Sequence, residues 1–198
     1  MTAWKIERWL AEVYKEEGAL IDAWGPLSAR ELVIVACATL DVALAEILSL
    51  RFVDDANEAT DFLGADDDGR APAGSFGARI QLAYLLGIIP KDAVQTLRAL
   101  KKLRNLMAHR VGAGLLGEKE QACLEQFRSQ AQAAVPRVDN PPVLEAIIRE
   151  SRSSEQAASF IILVGCLAIH SALYHDMQGM KRLPLYSPRT APPQPQRS

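Results

Sequence analysis

The sequence predicts an all-α fold, a single-domain bundle of five to seven helices over residues 1–183 followed by a disordered, proline-rich tail over 184–198. Three observations predict it. Apolar residues recur close to every 3.6 positions through most of the chain, no convincing run alternates with period two, and capping residues stand where the apolar stripes begin and end. With 198 residues and 49% hydrophobic content, the chain can fill one packed core and is short for two.

Ile6, Leu10, Val13, Tyr14, Leu20, Ile21 and Trp24 form the stripe of a first helix, which Gly25-Pro26 stops. Ser28 begins a second helix, apolar on most faces (Leu32, Val33, Val35, Ala36, Leu40, Leu44, Ile47, Leu48), as a central element of a bundle should be. From Asp54 to Asp68 there are seven acidic residues and no basic one, which reads as a solvated loop with room for a short helical turn around Phe62. Ser75 is placed to cap a third helix through Leu86, and Gly87 to end it. Pro90 suits the first turn of a fourth helix, where its missing N–H costs nothing. That helix runs from Lys91 to His109 on a stripe of Val94, Leu97, Leu100, Leu103 and Leu106 or Met107, until Gly112 and Gly114 release the chain. A fifth helix spans Glu118 to Ala134, and Pro136 to Pro142 breaks it. A short helix over Val143–Arg149 and a long one over Glu155–Met180 complete the bundle. The prolines at 184, 188, 192, 193 and 195 keep the tail extended.

Charge narrows the function classes. With 22 Lys+Arg against 24 Asp+Glu the formal charge is −2, so attraction to nucleic acid or anionic lipid would have to be local. Cys37, Cys123 and Cys166 are odd in number, far apart and set among apolar residues, as reduced, buried thiols are. Met1 to Arg8 lacks the basic-then-apolar layout of a secretion signal, and a cytoplasmic location is expected. The uncharged run Ala157–Ile169 is shorter than the roughly 20 residues a spanning helix needs, and Arg30–Leu50 carries Asp41 and Glu46, costly in hydrocarbon. Both are expected to be core helices, with no membrane partner.

The segment Ser75-Phe76-Gly77-Ala78-Arg79-Ile80-Gln81-Leu82-Ala83-Tyr84-Leu85-Leu86-Gly87-Ile88-Ile89 resembles the central signature of the mannitol operon repressor family. There a small-residue loop leads into an Arg-Ile/Leu-x-Leu-x-Tyr-x-Leu-Gly-Ile/Leu-Ile helix. In that family a further helix closes on an Arg- and His-containing segment, here Leu100 to His109, and the apolar last helix with Met177 and Lys181 follows the pattern more loosely. The resemblance implies an all-α intracellular negative regulator of transcription that works through a protein partner and has no recognisable DNA-reading helix-turn-helix.

Arg104-Asn105 and His109 carry a second, broader resemblance, to the HEPN superfamily of helical ribonucleases and nucleotide-binding proteins. In its catalytic members two protomers cut RNA without a metal, so a homodimer is expected if this likeness holds. It implies that Arg104 steadies the scissile phosphate, Asn105 orients it or the histidine, and His109 serves as general base or acid. Spacing adds a constraint, since Asn105 and His109 are i,i+4 on one face while Arg104 and His109 point about 140° apart on an ideal helix. An imidazole titrating near neutrality and a guanidinium suited to phosphate give the chemistry its logic.

Lys91, Arg98, Lys101, Lys102, Arg104 and Arg110 stand against Asp92 alone on this helix, so Arg98, Lys101, Lys102 and Arg110 are candidate anion or RNA contacts. Arg79 is either a further anion contact or an ion-pair partner for Asp41 or Glu46. The same basic residues also fit a solvated face opposite the acidic 54–68 segment, with His109 favoured at a helix C-terminus by the dipole, or a surface for a partner protein. No cofactor or metal is expected: His170 and His175 are five apart where zinc pairs prefer four, and Asp66-Asp67-Asp68-Gly69 lacks the alternating ligands of a calcium loop. There is no glycine-rich phosphate loop and no Gly-x-Ser-x-Gly elbow.

Overall fold

The computed structural model describes residues 19–64, 70–108, 117–134, 157–159, 161–166, 169, 173 and 180. Six helices are defined: α1 Ala19–Trp24, α2 Ala29–Ser49, α3 Ala56–Leu63, α4 Phe76–Leu85, α5 Lys91–Ala108 and α6 Glu118–Ala134. A further apolar helix begins at Ala157. There is no strand among the described residues, and the protein is an all-α, single-domain bundle. The first helix before Ala19, the short helix over 143–149 and the tail over 184–198 lie outside the described residues.

Helix α2 is the axis of the fold. Its start is fixed by a capping box, in which the Ser28 hydroxyl accepts from the Glu31 amide at 3.4 Å and the Glu31 carboxylate accepts from the Ser28 amide at 2.9 Å. Leu32, Val33, Leu40, Leu44, Ile47 and Leu48 are almost wholly buried, each contributing about 1.5–3 kcal/mol by leaving water. Among the described residues α2 is the one helix long and apolar enough to cross a membrane. Within the fold, however, 67% of its most apolar window is buried, and Asp41 on it is ion-paired. Protein covers those buried faces.

The acidic segment is more helical than the expected loop with a short turn around Phe62. Residues Ala56–Leu63 form a two-turn helix, because Asp55 lies at its N-cap and its carboxylate accepts from the amides of Asn57 and Glu58 at 3.1 and 3.2 Å. Acidic residues around a helix start meet the positive end of its dipole, so a charge run that suggests a loop also suits a first turn. Gly64 ends α3 in the left-handed conformation at φ 70°, and Phe62 meets Phe52 edge to face at 5.8 Å between ring centroids.

Helices α2, α4 and α5 pack on one another, and α6 lies along α5. Val94, Leu97, Leu100, Leu103 and Met107 are the buried side of α5, as its stripe predicts. Phe127 from α6 is fully buried. Ala158, Ile162, Cys166, Ile169 and Leu173 recur at helical spacing and join the same core.

Candidate functional site

The segment Ser75–Ile89 is built as a rigid corner, and most of its residues are occupied in making it so. The Ser75 hydroxyl accepts from the Ala78 amide at 3.2 Å and caps α4. At the other end Gly87, at φ 68°, gives its N–H to the Tyr84 carbonyl while Ile88 gives its N–H to the Ala83 carbonyl, the paired bonds of a Schellman ending. Ile80, Ala83, Ile88 and Ile89 are buried. The corner's exposed large apolar side chains are Tyr84, Leu85 and Leu86, with 43%, 70% and 47% of their surface exposed.

Arg79 turns inward. Its Nε donates to the Ala73 carbonyl at 3.0 Å, one terminal nitrogen to the Asp41 carbonyl at 3.2 Å, and the other to the Leu63 carbonyl, while the Asp41 carboxylate lies 2.7 Å away. Of the two roles expected for Arg79, the fold realises the ion pair, with Asp41 as the partner. A buried guanidinium so engaged is not an outward anion contact, and that expectation is corrected: its work is to tie the 63–73 connection and α4 to α2. Burial raises the Asp41 carboxyl above its ordinary range, with Arg79 and then Arg104 drawing it back down.

Beside this clamp lies a cleft of about 350 Å³, lined by Ile34, Cys37, Ala38 and Asp41 of α2, Gly74, Ser75 and Phe76 at the start of α4, and Arg104 of α5. Arg104 is exposed and acts electrostatically on both Asp41 and Cys37. Lys101, one turn earlier, is half-buried with its ammonium group against Gly77, in the space a Cβ would fill. The Cys37 thiol donates to the Leu100 carbonyl at 3.8 Å, and burial pushes its pKa up to about 12. It is a poor nucleophile there.

The basic residues of α5 therefore separate into two sets. Lys91, Arg98, Lys102 and Asn105 are exposed and fall within about 60° of one another around the helix axis. Arg104 belongs to the cleft instead, and adjacent residues on a helix point about 100° apart. Arg104 and Asn105 are thus not brought together on one surface. His109 and Arg110 lie outside the described residues, as do His170 and His175. Ile34, Cys37, Asp41, Ser75 and Phe76 were not marked by the sequence as partners of Arg104. The one available signal was Gly77 inside a helix, which flags close approach but does not say of what.

No protein-family model matches the chain, and neither does any curated protein or solved structure.

Proposed function

We propose that this chain is an intracellular negative regulator of transcription of the mannitol-repressor type, acting by holding another protein rather than by reading bases. The observation that carries the reading is the exposed apolar run Tyr84-Leu85-Leu86 on a corner held rigid by the Ser75 cap, the Arg79 clamp and the Gly87 ending. Scattered exposed leucines are ordinary, whereas three consecutive large apolar side chains on a fixed turn give a partner a preformed anchor. The resemblance of residues 75–89 to the repressor signature supports the same conclusion. Its test is capture of cross-linked partners by wild type and by the Leu85→Asp/Leu86→Asp variant, alongside transcript levels in a deletion strain. A partner lost on substitution, with transcripts raised on deletion, supports the reading. Absence of any partner together with unchanged transcripts sinks it.

The exposed stripe of Lys91, Arg98 and Lys102 favours a second reading, a metal-independent endoribonuclease of the HEPN type working as a homodimer, in which Arg104 of one protomer completes a catalytic set with Asn105 and His109 of the other. Purified protein, EDTA and single-stranded RNA decide it. Cleavage that disappears in His109→Ala supports it; no cleavage, or cleavage that persists in the variant, removes it.

A further inference from the structure

We propose that the cleft between α2, the start of α4 and α5 binds a small organic phosphomonoester, with Arg104 and Lys101 on the phosphate and Ile34, Ala38 and Phe76 against the carbon body. The site is separate from the Tyr84–Leu86 corner and does not depend on how that corner is used.

Charge accounting around the cleft points to a missing anion. Arg104 lines it, Lys101 lies one turn away against Gly77, next to the Gly74–Phe76 wall, and the one carboxylate on its wall, Asp41, is already paired with Arg79. Neither Lys101 nor Arg104 makes an ion pair with any described residue. Lys101 also sits against the second residue of α4, at the end of a helix where the dipole disfavours a cation. Two uncompensated cations facing a positive helix end match the charge of a phosphate dianion, about −1.5 to −2 at neutral pH.

Size and lining select the rest of the ligand. A cleft of about 350 Å³ is at the small end for organic ligands, enough for a phosphate and a compact body. Ile34 and Ala38 are exposed apolar residues one helical turn apart on α2, and Phe76 faces them from α4. The Ser75 hydroxyl, which accepts from Ala78, retains its own proton to donate.

The probes are inorganic phosphate and phenyl phosphate, added to the full chain at constant ionic strength against chloride, with thermal unfolding followed by circular dichroism. Phenyl phosphate should raise the unfolding temperature saturably and bind at least about fivefold more tightly than inorganic phosphate, because the apolar walls contribute. Arg104→Gln and Lys101→Met should each weaken its apparent affinity by about fivefold or more. Gly77→Ala should weaken it too, since the new methyl group displaces the Lys101 ammonium while the helix gains a better helix former. Should either cation variant prove unfolded, Gly77→Ala decides the matter. Arg51→Gln, an exposed cation just past the C-terminal end of α2 and outside the cleft lining, should leave the affinity unchanged. The proposal is overturned if wild type shows no saturable rise, if Arg104→Gln or Gly77→Ala binds as well as wild type, or if Arg51→Gln loses as much as they do. Equal affinity for the two probes would overturn the organic part of the ligand.

Discussion

Replacing Arg79 with Met removes the guanidinium while leaving an unbranched side chain to fill much of its space. The Asp41 carboxylate loses its partner at 2.7 Å, and the carbonyls of Ala73, Asp41 and Leu63 lose a charged donor. Breaking a buried pair in this way costs about 3–5 kcal/mol, which for a chain of this length lowers the unfolding midpoint by roughly 6–20 °C. Asp41 keeps 28% of its side chain exposed and can protonate, so the loss belongs in the lower half of that range. Its pH dependence has a definite sign. Burial raises the folded pKa of Asp41 above the ordinary 3.8, so the folded state holds a proton that the unfolded state has released. The contribution of Asp41 to stability therefore falls as pH rises from about 3.8 through the raised value. The fall should steepen in Arg79→Met, where the guanidinium no longer opposes it, and vanish from Asp41→Asn. Arg79→Met/Asp41→Leu should recover at least about 1 kcal/mol relative to Arg79→Met alone, because no uncompensated charge is left. Urea unfolding followed by circular dichroism across this pH range measures all four proteins. A loss below about 1 kcal/mol in Arg79→Met, or a double variant less stable than the single one, would refute the clamp.

Ser28→Ala should cost about 1 kcal/mol in urea unfolding by opening the capping box of α2, and a second change at Glu31 should then cost little more. Gly64→Ala and Gly87→Ala both force a side chain into the left-handed region, at about 1–2 kcal/mol each. Gly64→Ala should cost clearly more, since its methyl would lie 2.8 Å from the Ala71 methyl while nothing crowds Gly87. Equal midpoints for the two variants would contradict the crowding. Cys37, Cys123 and Cys166 are buried and their thiols are shifted upward by burial, so a colorimetric thiol reagent at mildly alkaline pH should label the native chain slowly and the urea-unfolded chain at once. Rapid labelling of one thiol in the native protein would show that the core is open there.

The helical scaffold was legible because its signals are local. The Ser28 and Ser75 caps, the Gly87 ending and the stripe Val94, Leu97, Leu100, Leu103, Met107 act within one or two turns, and spacing alone reveals them. The acidic segment misled because Asp55 and Glu58 serve equally in a solvated loop and in a first turn, and composition does not separate the two. The candidate site was legible only in part. Arg104 could be chosen from a basic helix, but the residues it meets come from positions 34–41 and 74–76, and that meeting depends on how α2, α4 and α5 pack. Arg79 shows the same limit: its charge left open an anion contact or an ion pair with Asp41 or Glu46, and only the packing selects Asp41, 38 positions earlier.

The proposed regulatory role rests on the Tyr84–Leu86 corner, and one measurement addresses it directly: sequencing of total cellular RNA from wild-type, deletion, Leu85→Asp/Leu86→Asp and His109→Ala strains. If the chain lowers transcription by holding a partner at this corner, deletion and the corner variant raise the same set of transcripts, while His109→Ala matches wild type. A corner variant indistinguishable from wild type, or a His109→Ala strain that reproduces the deletion, would contradict it.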